Sequence, residues 1–129
     1  KELKKLFANC YKNLKEDGLL VFDINSEYKM TEIFGSNCYV YEYEDIFYTW
    51  DNFYEDDLVD MHLNFFVENE DGSYKRIYEY QQERVYKTSE VKNMVEQAGF
   101  KDIKTYDEDD FGDVRDDSQR ILFSAVKGK

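Results

Sequence analysis

Residues 14–26, LKEDGLLVFDINS, constrain the fold of this chain more than any other stretch, because they join a helix stop, an unbroken apolar strand and a polar strand end. Upstream, Leu3, Leu6, Phe7, Cys10, Tyr11 and Leu14 recur at helical spacing, one apolar stripe that Gly18 is placed to end in a left-handed cap. Leu19, Leu20, Val21 and Phe22 follow with no polar alternation, a pattern that predicts a strand covered on both faces, as in a parallel sheet flanked by helices. Ligands of open α/β sheets gather at the carboxyl ends of such strands. Asp23 and Asn25 are therefore the first polar groups to consider for chemistry.

Beyond Asn25 the period changes twice. Ser26 is placed to cap a short helix carrying Tyr28, Met30, Ile33 and Phe34, which Gly35 closes. Alternation then takes over: Tyr39, Tyr41 and Tyr43 against Val40, Glu42 and Glu44, and later Val59, Met61, Leu63, Phe65 and Val67 against their polar neighbours. Residues 46–54 read as an aromatic strand between these, with a turn at Glu55, Asp56 and Asp57, and residues 69–72 give a second turn. Residues 74–86 alternate again, with Tyr78, Tyr80 and Arg84 on one side and Glu79 and Gln81 on the other. A helix with Val91, Met94, Val95 and Ala98 on one face follows, capped by Thr88 or Ser89 and ended by Gly99 with Phe100 as its hydrophobic contact. Residues 103–106 form a strand, an acidic loop covers 107–117, and the apolar run 120–126 predicts a last strand buried on both faces.

Charge narrows the partners. Seventeen basic residues stand against 29 acidic ones, a net charge of -12, the wrong sign for a phosphate backbone, so no nucleic-acid partner is expected. A length of 129 residues suits one domain. Cys10 and Cys38 show no C-x-x-C spacing, and Cys10, on the apolar stripe, reads as a buried free thiol in a reducing cytoplasm. Neither signal peptide nor membrane span is visible. The chain opens on Lys1 inside a helical pattern, which reads as a piece of a longer protein.

Taken in order, the helix, LKEDG, the buried strand ending DIN, the aromatic antiparallel block, EVKNMVEQAGF at 90–100 and the terminal strand resemble the C-terminal half of class I S-adenosylmethionine-dependent methyltransferases. The likeness is to small bacterial members with an inserted antiparallel sheet. It implies an α/β fold, part of a doubly wound Rossmann-like sheet, with residues 1–36 and 87–129 in the α/β part and 37–86 in the insertion. It also implies an enzyme that methylates a small molecule. In that family a glycine-rich turn and an acidic strand end in the N-terminal half hold the cofactor. The six glycines here form no G-x-G pair, so this stretch alone is expected to be inactive and to bind S-adenosylmethionine weakly. A sheet cut in this way bares apolar surface, which predicts self-association.

The resemblance places Asp23 and Asn25 at the crevice, near cofactor or substrate; the competing reading has them cap the following loop. Tyr28, Tyr39, Tyr41, Trp50, Tyr78 and Tyr80 are candidates for the substrate pocket, where aromatic faces beside acids suit an amine, against a plain role in packing. Glu79 and Arg84 match a Glu and an Arg of the family, while Gln81 stands where relatives often carry His, so no catalytic base is assigned. His62, the only imidazole, reads as solvated or hydrogen-bonded. The acidic loop echoes a calcium loop, but Phe111 and Ser118 occupy ligand positions, and no metal site is expected. The alternative function is a non-catalytic acidic, tyrosine-rich module for interaction or ligand binding.

Overall fold

The computed structural model describes residues 2–128. In chain order these form α1 (Glu2–Asn13), β1 (Leu19–Asn25), a π-helical segment (Lys29–Phe34), β2 (Cys38–Tyr43), β3 (Ile46–Glu55), β4 (Leu58–Glu68), β5 (Tyr74–Arg84), α2 (Thr88–Gln97), β6 (Lys101–Asp107) and β7 (Arg120–Val126). They fall into two units, one running to Lys29 and resuming at Tyr86, the other Met30–Val85.

In the first unit the mixed α/β class holds, but the sheet is antiparallel throughout, in the order β1-β7-β6. Phe7 of α1, Val91 and Val95 of α2, and Phe100 pack with Ile121, Phe123 and Ala125 of β7 into its core. The expectation of strands buried on both faces does not hold in this chain. Leu19 and Val21 are 59 % and 52 % exposed, and on β7 only alternate residues are fully buried. The helices of this unit supply one apolar cover, and alternation decides which side chains reach it.

Two local expectations also change. Asp17, not Gly18, takes the left-handed conformation, at φ 61°. Gly18 is needed for space instead, since a Cβ there would lie 2.8 Å from the Lys15 carbonyl oxygen. The N-cap of α2 is Lys87, without a side-chain hydrogen bond, because Thr88 and Ser89 already lie in the first turn. At the other end Gly99 sits at φ 112° and Phe100 is buried, its ring edge-on to Tyr11 at 5.2 Å.

The second unit is a four-stranded antiparallel meander in the order β2-β3-β4-β5. Asp56 and Asp57, both at positive φ, make the two-residue turn between β3 and β4, the backbone twist that tight hairpins favour. Met30, Val59, Met61 and Val85 form the buried cluster, joined by Phe34, Trp50, Tyr54 and Leu63. The Ser26 hydroxyl caps the helical segment that follows it by accepting the Lys29 N–H at 3.0 Å. The Gly35 N–H reaches the Met30 carbonyl at 2.8 Å, the five-residue step that defines a π turn.

Candidate functional site

Antiparallel register brings Asn25 of β1 opposite Arg120 of β7, and Asp23 lies two residues away on the same face. Arg120 reaches all three acceptors around it. Its Nη2 donates to Asp23 Oδ1 at 2.9 Å, its Nη1 to Asn25 Oδ1 at 2.9 Å, and its Nε to Glu108 Oε2 at 2.9 Å. The bond from Arg120 holds the Asp23 carboxyl below its ordinary value, and Asp23 raises Arg120 in turn. The two nominated residues thus meet, around a guanidinium that sequence reasoning passed over. Its only local sign is an Arg opening an otherwise apolar run.

The nominated aromatics divide between the two faces of the meander. Tyr39 pairs with Trp50 and Tyr41 with Tyr48, giving a run of rings from Phe34 to Trp50 (5.0 Å), Tyr39 (5.5 Å), Tyr41 (6.4 Å), Tyr48 (5.1 Å) and Phe65 (5.5 Å). The Tyr39 hydroxyl donates to the Ile33 carbonyl at 2.5 Å. On this face Trp50 Nε1 and both polar atoms of the Asn52 side chain are buried with no hydrogen-bond partner among the described residues. Groups in that condition call for an ordered water or a ligand atom. Sequence reasoning missed Asn52, which looks like any polar residue of an alternating strand.

Tyr78, Tyr80 and Arg84 lie on the opposite face with His62 and Asp60. There His62 Nδ1 shares a 2.6 Å hydrogen bond with the Tyr78 hydroxyl, and the Tyr80 hydroxyl donates to Asp60 at 2.6 Å. That bond lowers the Asp60 carboxyl and raises the Tyr80 phenol. Arg84 is exposed at the end of β5, and Glu79 projects from the other face, so the two do not pair. Tyr28 is half-buried in the helical stretch after Ser26.

The acidic loop closes on itself. Asp107, 2 % exposed, accepts from the Ser118 hydroxyl at 2.6 Å and from Arg115 at 3.0 Å, and Arg115 also bridges Asp110. These contacts, the Ser118 bond first, hold the Asp107 carboxyl below its ordinary value. A carboxyl lowered by folding stabilises the folded state above its unfolded value of about 4, and that support is lost as pH falls through the folded value. The Asp109 amide, bonded to Asp107 at 2.8 Å, should therefore lose hydrogen-exchange protection below about pH 4, after correction for intrinsic rates. Protection that shows no decline between about pH 4 and about pH 1 would refute the assignment.

Comparison with known proteins places this geometry. A protein of Geobacillus sp. (strain WCH70), provisionally named a methyltransferase, is 36 % identical over 131 aligned positions, which take in 98 % of this chain and 52 % of the relative. An S-adenosylmethionine-dependent methyltransferase from Clostridium acetobutylicum superposes with a TM-score of 0.87 at 35 % identity, over 98 % of this chain and 51 % of that one. Over nearly its whole length the chain is thus similar to S-adenosylmethionine-dependent methyltransferases. It spans about half the length of the relatives it matches. The sugar N-methyltransferase KedS8 from Streptoalloteichus shares the fold, with a TM-score of 0.73 at 18 % identity over 99 % of this chain and 49 % of its own. No family model matches the chain.

The likeness raises the question of whether the strand-end cluster suits S-adenosylmethionine. S-adenosylmethionine bears an ammonium and ribose hydroxyls, which acceptor oxygens can hold. Asp23 is one-third exposed, and each carboxylate oxygen can accept a second bond beyond the one from Arg120. The strand-end cluster fits such donors on those terms, with Asp23 and Asn25 also held by Arg120. Among the described residues no helix is long and apolar enough to cross a membrane.

Proposed function

We propose that this chain is the C-terminal portion of a methyltransferase that moves a methyl group from S-adenosylmethionine to N, O or C of a small molecule. The observation that carries this reading is the likeness of 98 % of this chain to about half of the clostridial methyltransferase. Asp23 and Asn25 take the cofactor side, accepting bonds from its ammonium or ribose, with Arg120 fixing their rotamers. When bound, S-adenosylmethionine supplies an electrophilic methyl group. The protein then has mainly to align the acceptor and exclude water. Tyr39, Tyr41 and Trp50 share one face and serve as the acceptor wall, with Asn52 as its polar contact. Tyr78, Tyr80 and Arg84 project from the opposite face of the meander, and Tyr28 belongs to neither face, lying in the segment after Ser26 in the sequence. KedS8, which acts on a sugar, favours a small acceptor over a macromolecule. Two free cysteines, one exposed, suit a reducing cytoplasm.

Calorimetry on the full-length protein tests the cofactor role. Asp23→Ala should weaken S-adenosylmethionine by about tenfold or more, the worth of a hydrogen bond to a charged group. An unchanged affinity would leave Asp23 as a structural clamp. The isolated chain, with no glycine-rich turn, should show no micromolar binding, and its light scattering should reveal self-association through β1, an edge strand with Leu19 and Val21 exposed. Tight cofactor binding by the isolated chain, or a strict monomer at high concentration, would defeat these two expectations. A second reading, a non-catalytic tyrosine-rich interaction module, draws on the exposed rings of Phe53, Tyr74, Tyr78 and Tyr80.

A further inference from the structure

At the end of the meander where the β2–β3 and β4–β5 turns lie, a cleft of about 420 Å³ is lined by Glu42, Phe47, Phe66 and Tyr74. Register explains the grouping. Glu42 pairs with Phe47 and Phe47 with Phe66, while Tyr74 opens β5 opposite Glu68. The Phe47 and Phe66 rings stand 6.2 Å apart and tilted by 47°, so neither covers the other's face. A smaller adjoining recess adds Glu44, Asp45 and Glu68. Among the described residues none of these four carboxylates is in an ion pair. Arg76, the basic residue paired with Phe66, is engaged elsewhere: its Nε donates to Asn64 at 2.9 Å and its guanidinium lies 5.8 Å from the Tyr78 ring.

Aromatic walls with unneutralised acid at the rim select a particular chemistry. An anion is repelled, and a neutral apolar guest leaves the carboxylates unanswered. A bare metal ion needs several ligands at one point, and among the described residues no three acidic, histidine or cysteine side chains converge on such a point. An organic cation satisfies both features, since ring faces attract its charge while taking its methyl groups, and the volume is that of a small-molecule pocket. We propose that this cleft binds a small alkylammonium or quaternary ammonium cation, with its head group against Phe47, Phe66 and Tyr74 and its charge beside Glu42. The site lies wholly within the Met30–Val85 unit and does not rest on the methyltransferase reading.

Choline is a suitable probe, and 3,3-dimethyl-1-butanol is its neutral isostere. In an NMR titration of the chain at constant ionic strength, choline should shift the Phe47, Phe66 and Tyr74 ring signals saturably, with a millimolar midpoint, while the isostere should not saturate. Glu42→Gln and Phe47→Leu, both at exposed positions, should each weaken choline by about fivefold or more, with the remaining spectrum unchanged to show an intact fold. Equal responses to choline and the isostere would mean apolar adhesion alone and would overturn the proposal. So would the absence of a saturable shift at these rings, or full affinity in both variants.

Discussion

Phe123→Ala is expected to cost the α/β unit about 3–5 kcal/mol. Phe123 is fully buried, stacks on Phe22 with ring centroids 4.9 Å apart, and belongs to the cluster that joins both helices to β7. Truncation removes its transfer free energy and leaves a cavity that a three-stranded sheet under two helices can only partly refill. Domains of this size have roughly 5–15 kcal/mol in total, so the variant should lose from about a fifth of its margin to all of it. Trp50, the single tryptophan, lies in the meander, so its fluorescence does not report this unit. Hydrogen exchange at the amides of β7 and α2 does, and it should show opening at much lower urea than in the parent chain. A loss below about 1 kcal/mol, the range of a surface change, would mean that the core does not centre on Phe123.

The second large effect should come from Gly35→Ala. Gly35 has φ 38°, and a Cβ there would stand 2.5 Å from the Thr31 carbonyl oxygen, so the turn has to move. Moving it strains or breaks the Gly35-to-Met30 bond that closes the π turn. Backbone strain and one weakened buried bond together cost about 2–4 kcal/mol. Because Phe34, next in the chain, lies 5.0 Å from Trp50, tryptophan emission should shift in the folded state and the urea midpoint should fall. Gly72→Ala is the matched control. Gly72 also has positive φ, at 86°, but nothing lies within 4 Å of the added methyl, so it should lose only about 1 kcal/mol. Equal losses in the two variants would remove the steric part of this argument.

Much of this architecture is legible in the chain because periodicity is local. Helical spacing announces α1 and α2, alternation announces β2, β4 and β5, aromatic content announces β3, and Gly99 with Phe100 marks the end of α2 where the structure has it. Whatever depends on pairing is not. Tyr39, Tyr41 and Trp50 share a face while Tyr78 and Tyr80 take the other, and this follows from turn lengths. The turns after Tyr43 and Glu55 have two residues, so an odd position pairs with an even one; the longer link between Glu68 and Tyr74 restores like with like. Arg120 was hidden for a related reason. Its partners Asp23 and Asn25 stand nearly a chain length away, and only the antiparallel register of β1 and β7 brings them together. Single-position signals erred where two residues compete for one role, as with Asp17 against Gly18 and Lys87 against Thr88.

The α/β unit is discontinuous in sequence, and this has a consequence for how the chain matures. Leu19 pairs with Val126 and Asn25 with Arg120, whereas each pair of neighbouring strands in the meander is joined by a short turn. Closing distant segments costs more entropy and takes longer than zipping adjacent hairpins. During synthesis from the N-terminus the meander can therefore assemble while β1 still waits for its partner, since β7 emerges only after the whole meander. In that interval Leu20, Phe22 and Ile24, which pack against the core of the finished unit, remain open to chaperones and to other nascent chains.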